Sequence, residues 1–203
     1  MRTKSDEKRQ AILDVAAEVF REAGFERASM SEICTRVGGS KATLYNYFPS
    51  KEELFFEVMF LSTEAEFEAT HKALDPATED IAASLRHFGE RFLALLYSPE
   101  VLAVRRLIVA ESGRSDLGRL CFTRGPKRSQ EEVSKFLAGA MTQGRLRHAD
   151  PLVATLHLRG LLEAELLDRF LFQVSDSVSK KEIKAITDRA IRVFMAAYGP
   201  LTT

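Results

Sequence analysis

The chain has 203 residues, of which 29 are basic and 29 acidic, so its formal net charge is zero. That balance argues against a protein that coats nucleic acid non-specifically, and it leaves room for a reader whose basic groups sit on one small face. Hydrophobic residues make up 45%, while only 11 glycines and 6 prolines are present, which allows a real core and argues against an all-β or disordered chain.

Apolar residues recur at helical spacing nearly throughout, with no strand-like alternation, so the expected fold class is all-α with about nine helices. Ile12, Val15, Ala16, Val19, Phe20 and Ala23 predict a first helix of about five turns, ended by Gly24. Ser29 and Glu32 have the spacing of a capping box and open a short helix with Ile33 and Val37 inward. Gly38-Gly39 closes it. Ser40 caps a third helix that runs through Phe48. Pro49 stops it, because the residue before proline is pushed out of helical ψ.

Ser50 and Glu53 form a second capping box, opening a long helix striped by Leu54, Val58, Leu61 and Ala65 until Asp75-Pro76 breaks the pattern. Ile81, Leu85, Phe88, Phe92 and Leu95 mark the next helix, ended by Ser98-Pro99. One from about Glu100 to Glu111 follows, and Gly113 to Gly118 with Gly125-Pro126 bracket a less regular stretch. Ser129 and Glu132 begin a helix reaching about Gly144. Asp150-Pro151 starts one that reaches Phe172. Ser179 and Glu182 cap the last, with Ile183, Ile186, Ala190, Val193 and Phe194 on one face. Cys34 and Cys121 have no paired spacing and read as thiols of a cytosolic core. The charged N-terminus has no apolar signal region and no run approaches membrane-spanning length. A cytoplasmic, soluble protein with no membrane partner is therefore expected.

The second and third helices are short and joined by a glycine-containing turn, as a helix-turn-helix requires. In that arrangement the third helix enters the major groove of DNA. Leu44 and Phe48 are its natural anchors. Lys41, Thr43, Tyr45, Asn46 and Tyr47 are free to face outward. Lysine and asparagine can read base edges, while tyrosine and threonine hydroxyls suit phosphates. Lys51 stands in the first turn of the next helix, where a positive charge opposes the helix dipole, so a partner anion is expected. From Arg27 to Lys51 the basic residues Arg27, Arg36, Lys41 and Lys51 face only Glu32.

These residues carry a resemblance. The segment from about Lys8 to Met59 is similar to the DNA-binding domain of TetR/AcrR-family transcriptional regulators. It includes Ile-Leu-Asp-Val-Ala-Ala-Glu-Val-Phe near the start, Gly24-Phe25, and the string from Ser40-Lys41-Ala42-Thr43-Leu44-Tyr45 to Tyr47-Phe48-Pro49-Ser50-Lys51-Glu52-Glu53-Leu54. The resemblance implies an N-terminal three-helix DNA-binding domain over residues 1–50, with the helix-turn-helix at about 29–48. A larger ligand-binding and dimerisation domain over 51–203 is implied to follow, with helix 4 from about residue 51 as the link. By position it implies phosphate contacts at Ser29, Ser40, Tyr45, Tyr47 and Lys51, and a groove-facing set of Lys41, Ala42, Thr43 and Asn46. Gly39, Ala42 and Asn46 depart from the residues frequent in the family: valine, glycine and an aromatic.

The segment Val104-Arg-Arg-Leu-Ile-Val-Ala-Glu-Ser-Gly, with Phe122-Thr-Arg-Gly-Pro, resembles the C-terminal domain of AefR-like members. Members of the TetR/AcrR family use this region to bind a small molecule and to dimerise through the last two long helices, which here implies segments of about 151–172 and 182–198. The first of these is apolar around most of its circumference, as a helix buried on two sides is. Phe88, Phe92, Leu96, Leu107, Phe122, Leu137, Met141 and Leu161 are candidates to line an effector cavity, suited to flat or greasy ligands. No nucleophile motif, Gly-rich phosphate loop or paired-carboxylate signature is present, and His71, His87, His148 and His157 lack ligand spacing. No enzyme, cofactor or metal is expected. The leading expectation is a homodimeric repressor released from double-stranded operator DNA by a small apolar or aromatic ligand. An activator, or a regulator controlled by a protein partner, is the alternative. A helical enzyme is the remote one.

Overall fold

The computed structural model describes residues 3–111, 113–174 and 177–200, and these are helical almost throughout. In chain order the elements are α1 (Lys4–Arg27), α2 (Met30–Val37), α3 (Lys41–Tyr47), α4 (Lys51–Lys72), α5 (Ile81–Leu96), α6 (Pro99–Glu111), α7 (Leu117–Phe122), a π-helical turn (Thr123–Lys127), α8 (Arg128–Thr142), α9 (Pro151–Glu163), α10 (Leu167–Leu171) and α11 (Lys180–Tyr198). The chain divides into two compact units, Met1–Glu64 with Ala103–Gly118, and Ala65–Leu102 with Arg119–Thr203. The first turns of α4 thus pack with the first unit.

In the first unit, α1 is interrupted at Gly24, whose φ of 74° is the left-handed region that glycine enters freely. One face of α1 buries Ile12, Ala16, Val19 and Phe20. The Phe20 ring meets Phe55 of α4 edge-on with centroids 5.1 Å apart, and Phe25 lies 5.0 Å from the same ring. Ser29, Ser40 and Ser50 cap their helices as the spacing predicts, accepting from Glu32 N, Thr43 N and Glu53 N. Gly38 ends α2 with φ 69°, which turns the chain into α3.

In the second unit, α11 packs on α5 and α9, and α8 packs on α9. Leu85, Leu137, Leu158, Leu162, Ile186 and Phe194 form its driest core. The closest approach is at Gly89 of α5, where a Cβ would lie 2.8 Å from Thr187 Cγ2 and 2.9 Å from Leu162 Cδ2.

Two segments differ from the expectation. Gly125-Pro126 predicts a break, yet the chain stays helical from Leu117 to Thr142. Proline has no N–H and crowds the carbonyl four residues back, and the wider π turn lets the helix pass it. Ser129 is therefore inside the helix rather than at its cap, and its hydroxyl pairs with His71 Nε2 at 2.8 Å. The single helix expected from Pro151 to Phe172 is instead two. The backbone loosens between Glu163 and Leu167, and the Leu166 N–H reaches back only to the Glu163 carbonyl. Glu163 is itself buried and held by the Tyr97 hydroxyl and Arg159 Nε.

Candidate nucleic-acid interface

Seven residues make α3 too short to persist alone, so neighbouring elements must hold it. Leu44 and Phe48 are buried, and the Arg9 guanidinium lies 5.0 Å from the centroid of the Phe48 ring. Arg9 is fixed in turn by Glu57 at 2.7 Å. With that face anchored, Lys41, Ala42, Tyr45 and Asn46 share the opposite, exposed face. Ser29 and Ser40 are exposed too, although their hydroxyls are engaged as caps. Thr43 is half-buried, with its hydroxyl 2.9 Å from Ser40 Oγ. Tyr47 is half-buried along the seam with α1, where its hydroxyl lies 3.3 Å from Ser5 Oγ.

Lys51 is placed differently from the sequence expectation. Its ammonium turns inward and donates to the carbonyls of Phe25, Glu26 and Ala28 at 2.9, 3.4 and 3.3 Å. An ammonium has three N–H donors, and these bonds account for all of them. The charge that seemed to need an external anion is satisfied by carbonyls left over at the end of α1.

The local basic excess also shrinks. Arg36 is bound by Glu22 at 2.8 Å and Glu32 at 2.7 Å. The Glu22 hydrogen bond, with both carboxylates nearby, raises its guanidinium above the ordinary value. Arg27 Nε donates to the Ala23 carbonyl. Of the four cations counted from sequence, Lys41 alone has no partner among the described residues. Sequence reasoning passed over a fifth, Lys8, whose ammonium reaches the Gly38 carbonyl at 3.4 Å.

Of the eight residues expected around an effector, six fall together in the second unit and two lie apart from them. Phe88, Leu137 and Met141 belong to the buried core of the second unit, with Phe92, Leu96 and Leu161 packed against it. Phe122 is 49% exposed, and Leu107 lies in the first unit. A cleft of about 490 Å³ has His71, Leu74, Ile81, Lys135, Phe136 and Arg145 among its walls. A second, of about 410 Å³, runs along Ala82, Arg86, Asp188, Ile191, Arg192 and Met195. None of the eight lines either. Among the described residues no acidic, histidine and cysteine side chains gather in a way that could hold a metal, and no helix is long and apolar enough to cross a membrane.

Residues 12–58 match the model of bacterial regulatory proteins of the tetR family, and residues 83–200 match that of the AefR-like transcriptional repressor C-terminal domain. The second match alone takes in more than half of the chain. The chain belongs to the TetR family. That family is one of helix-turn-helix transcriptional regulators, a class that is not enzymatic. Among its relatives, it is 35% identical over 118 residues to the HTH-type transcriptional regulator UidR of Escherichia coli K12, covering 51% of this chain and 60% of UidR. The first curated relatives are thus matched over only 36–60% of their own length. A crystal structure of a TetR-family regulator from Mesorhizobium loti superposes with a TM-score of 0.82 at 29% identity, covering 98% of this chain and all of the other. The flavonoid-responsive regulator FrrA does so with a TM-score of 0.71 at 30% identity, over 97% of this chain and 99% of its own. Helix α3 lies within the segment that matches the tetR-family model.

Proposed function

We propose that the protein is a cytoplasmic homodimeric repressor that binds double-stranded operator DNA through α3 and is released by a small apolar or aromatic ligand. Residues 1–50 serve as the DNA-binding domain and 51–203 as the ligand-binding and dimerisation domain. Lys41, Ala42 and Asn46 read base edges, and Ser29, Ser40, Thr43, Tyr45 and Tyr47 position the helix on the backbone. Lys51 acts from behind, by fixing the end of α1.

The observation that carries this reading is the unpartnered apolar face of α9 and α10. Leu152, Val153, Leu156, Leu167 and Leu171 are each 41–49% exposed, and Val193 of α11 is 53% exposed. A row of exposed leucines on a soluble chain marks an interaction surface. A second copy fits it, because a twofold-related partner presents the same apolar face. Such a dimer also suits operators with paired half-sites about one helical turn apart. An aromatic effector is supported by the likeness to FrrA and by the many phenylalanines of the second unit. Phe88, Phe92, Leu96, Leu137, Met141 and Leu161 form the wall that a ligand would part.

The test is a duplex selected by the protein from a randomised pool, followed by titration of flavonoids and other flat phenols into the complex. Release of the duplex by one of them, from a protein that sediments as a dimer, is the expected result. A monomer at the concentrations that bind DNA, or a complex indifferent to the whole panel, overturns it.

A further inference from the structure

The turn that enters α3 reads Gly38-Gly39, and the two glycines do different things. Gly38 needs its freedom for φ 69°. Gly39 has no positive φ, so backbone strain does not explain it. Space does. A Cβ on Gly39 would stand 3.7 Å from Lys8 Nζ and 4.0 Å from Lys8 Cε, with no other heavy atom within 4 Å outside its neighbours. The missing side chain leaves open space beside the Lys8 ammonium. A single methyl would touch Lys8 at ordinary contact distance, and the larger valine side chain is expected to crowd it.

Lys8 is only lightly held there. Its one described bond, to the Gly38 carbonyl, is long at 3.4 Å, and an ammonium carries three donors. No carboxylate pairs with it among the described residues. Its neighbour Arg9 is committed to Glu57 and Phe48, whereas Lys8 has no such ion pair among the described residues. The same face of α1 borders the recognition helix a turn earlier, through Ser5 and Tyr47. Lys8 thus stands at the entrance to α3, beside the exposed N-cap Ser40.

We propose that Lys8 is a DNA-phosphate-binding residue of this regulator, brought to the helix-turn-helix from α1 by the absence of a side chain at Gly39. It rests on the reading of α3 as a DNA-binding helix. Lys8 supplies there the charge that Lys51, turned inward, does not. Because it is a contact to the backbone, it adds affinity and register without choosing a sequence.

The experiment measures binding of the full-length chain to a duplex it has selected from a randomised pool, and to a scrambled duplex, over a range of salt concentrations. For Lys8→Met, the slope of log affinity against log salt is expected to fall by about 0.9 per subunit, with affinity lost about equally on both duplexes. Lys8→Arg is expected to keep the slope. Gly39→Val is expected to reproduce the loss, and adding Lys8→Met to it to cost nothing further. Lys135→Met, at an exposed lysine of the second unit, is the control and leaves the slope unchanged. A Lys8→Met slope equal to that of wild type overturns the proposal, and it does so even if the melting temperature or the affinity shifts, since that pattern belongs to a lysine that only braces the turn. If the wild-type chain selects no duplex, the DNA-binding reading itself falls and this proposal falls with it.

Discussion

The Lys51 ammonium sits 2.9 Å from the carbonyl oxygen of Phe25 and 4.2 Å from the centroid of the Phe25 ring. One side chain thereby joins the first turn of α4 to the frayed end of α1. The joint matters because Gly24 has already broken α1, leaving its last carbonyls without helical partners.

Lys51→Met is expected to destabilise the first unit by about 1–2 kcal/mol. A hydrogen bond to a charged group contributes about 1.5–3 kcal/mol. Removing a cation from a helix N-terminus returns about 0.3–1 kcal/mol, so the loss wins. Urea denaturation measures the difference. At temperatures where the variant is folded, the salt slope of DNA binding should match that of wild type. A flattened slope would put Lys51 on a phosphate after all.

Gly89→Ala is expected to lower the stability of the second unit. Alanine gains about 1 kcal/mol of helix propensity over glycine. Against that, its methyl would press within 2.8–2.9 Å of Thr187 and Leu162, both fully buried. Overpacking of this kind costs about 1–3 kcal/mol. Thermal unfolding should show a fall in melting temperature. A rise would mean that α5, α9 and α11 part more easily than their packing implies.

Acid should weaken the second unit through His71. Burial holds its imidazole below the ordinary value of 6.5, against the opposing pull of the Phe67 carbonyl and of Glu132 and Glu68, with Arg128 adding to the lowering. Its ring nitrogens are 2.8 Å from Phe67 O and 2.8 Å from Ser129 Oγ. With the folded value depressed, the imidazole is neutral in both states above 6.5 and contributes no pH dependence there. As the pH falls below 6.5, the unfolded chain takes up the proton first and stability is lost until the folded value is passed. His71→Gln should flatten the stability profile between pH 7 and about 5. An identical acid loss in variant and wild type would assign it to other groups.

Much of this fold was legible because its punctuation is chemical. Ser29, Ser40, Ser50, Asp150 and Ser179 announce helix starts through side-chain acceptors at fixed spacing, and each does so in the structure. The exposed face of α3 followed from Leu44 and Phe48 being the residues it had to bury. What the sequence could not show was where long side chains end. Lys51 is a free charge in the sequence, and in the structure three carbonyls at the end of α1 surround it. Arg36 counted as basic excess until Glu22, fourteen positions earlier, was found beside it. The breaks at Pro126 and at Glu163–Leu167 were misplaced for a related reason. A proline signals a stop only when no wider turn can absorb it. A buried carboxylate between Leu162 and Ala164 leaves no mark on a helical stripe.

The face of α9 and α10 supplies the last test. Leu156 and Leu167 are 45% and 41% exposed, and they flank Gly160 and Ala164, where small side chains allow close approach. If a second copy covers this face, Leu156→Glu sets two carboxylates, one from each subunit, into a dry apolar seam. Burying an unpaired charge costs several kcal/mol. Even about 3 kcal/mol weakens the dimer roughly a hundredfold. The fold of each subunit should survive, because Leu156 contributes little to the core in which Leu158 and Leu162 are buried. Sedimentation should therefore find a monomer with a wild-type circular dichroism spectrum. Its affinity for a two-half-site duplex should fall toward that for a single half-site. A Leu156→Glu protein that still sediments as a dimer would move the interface elsewhere on the chain.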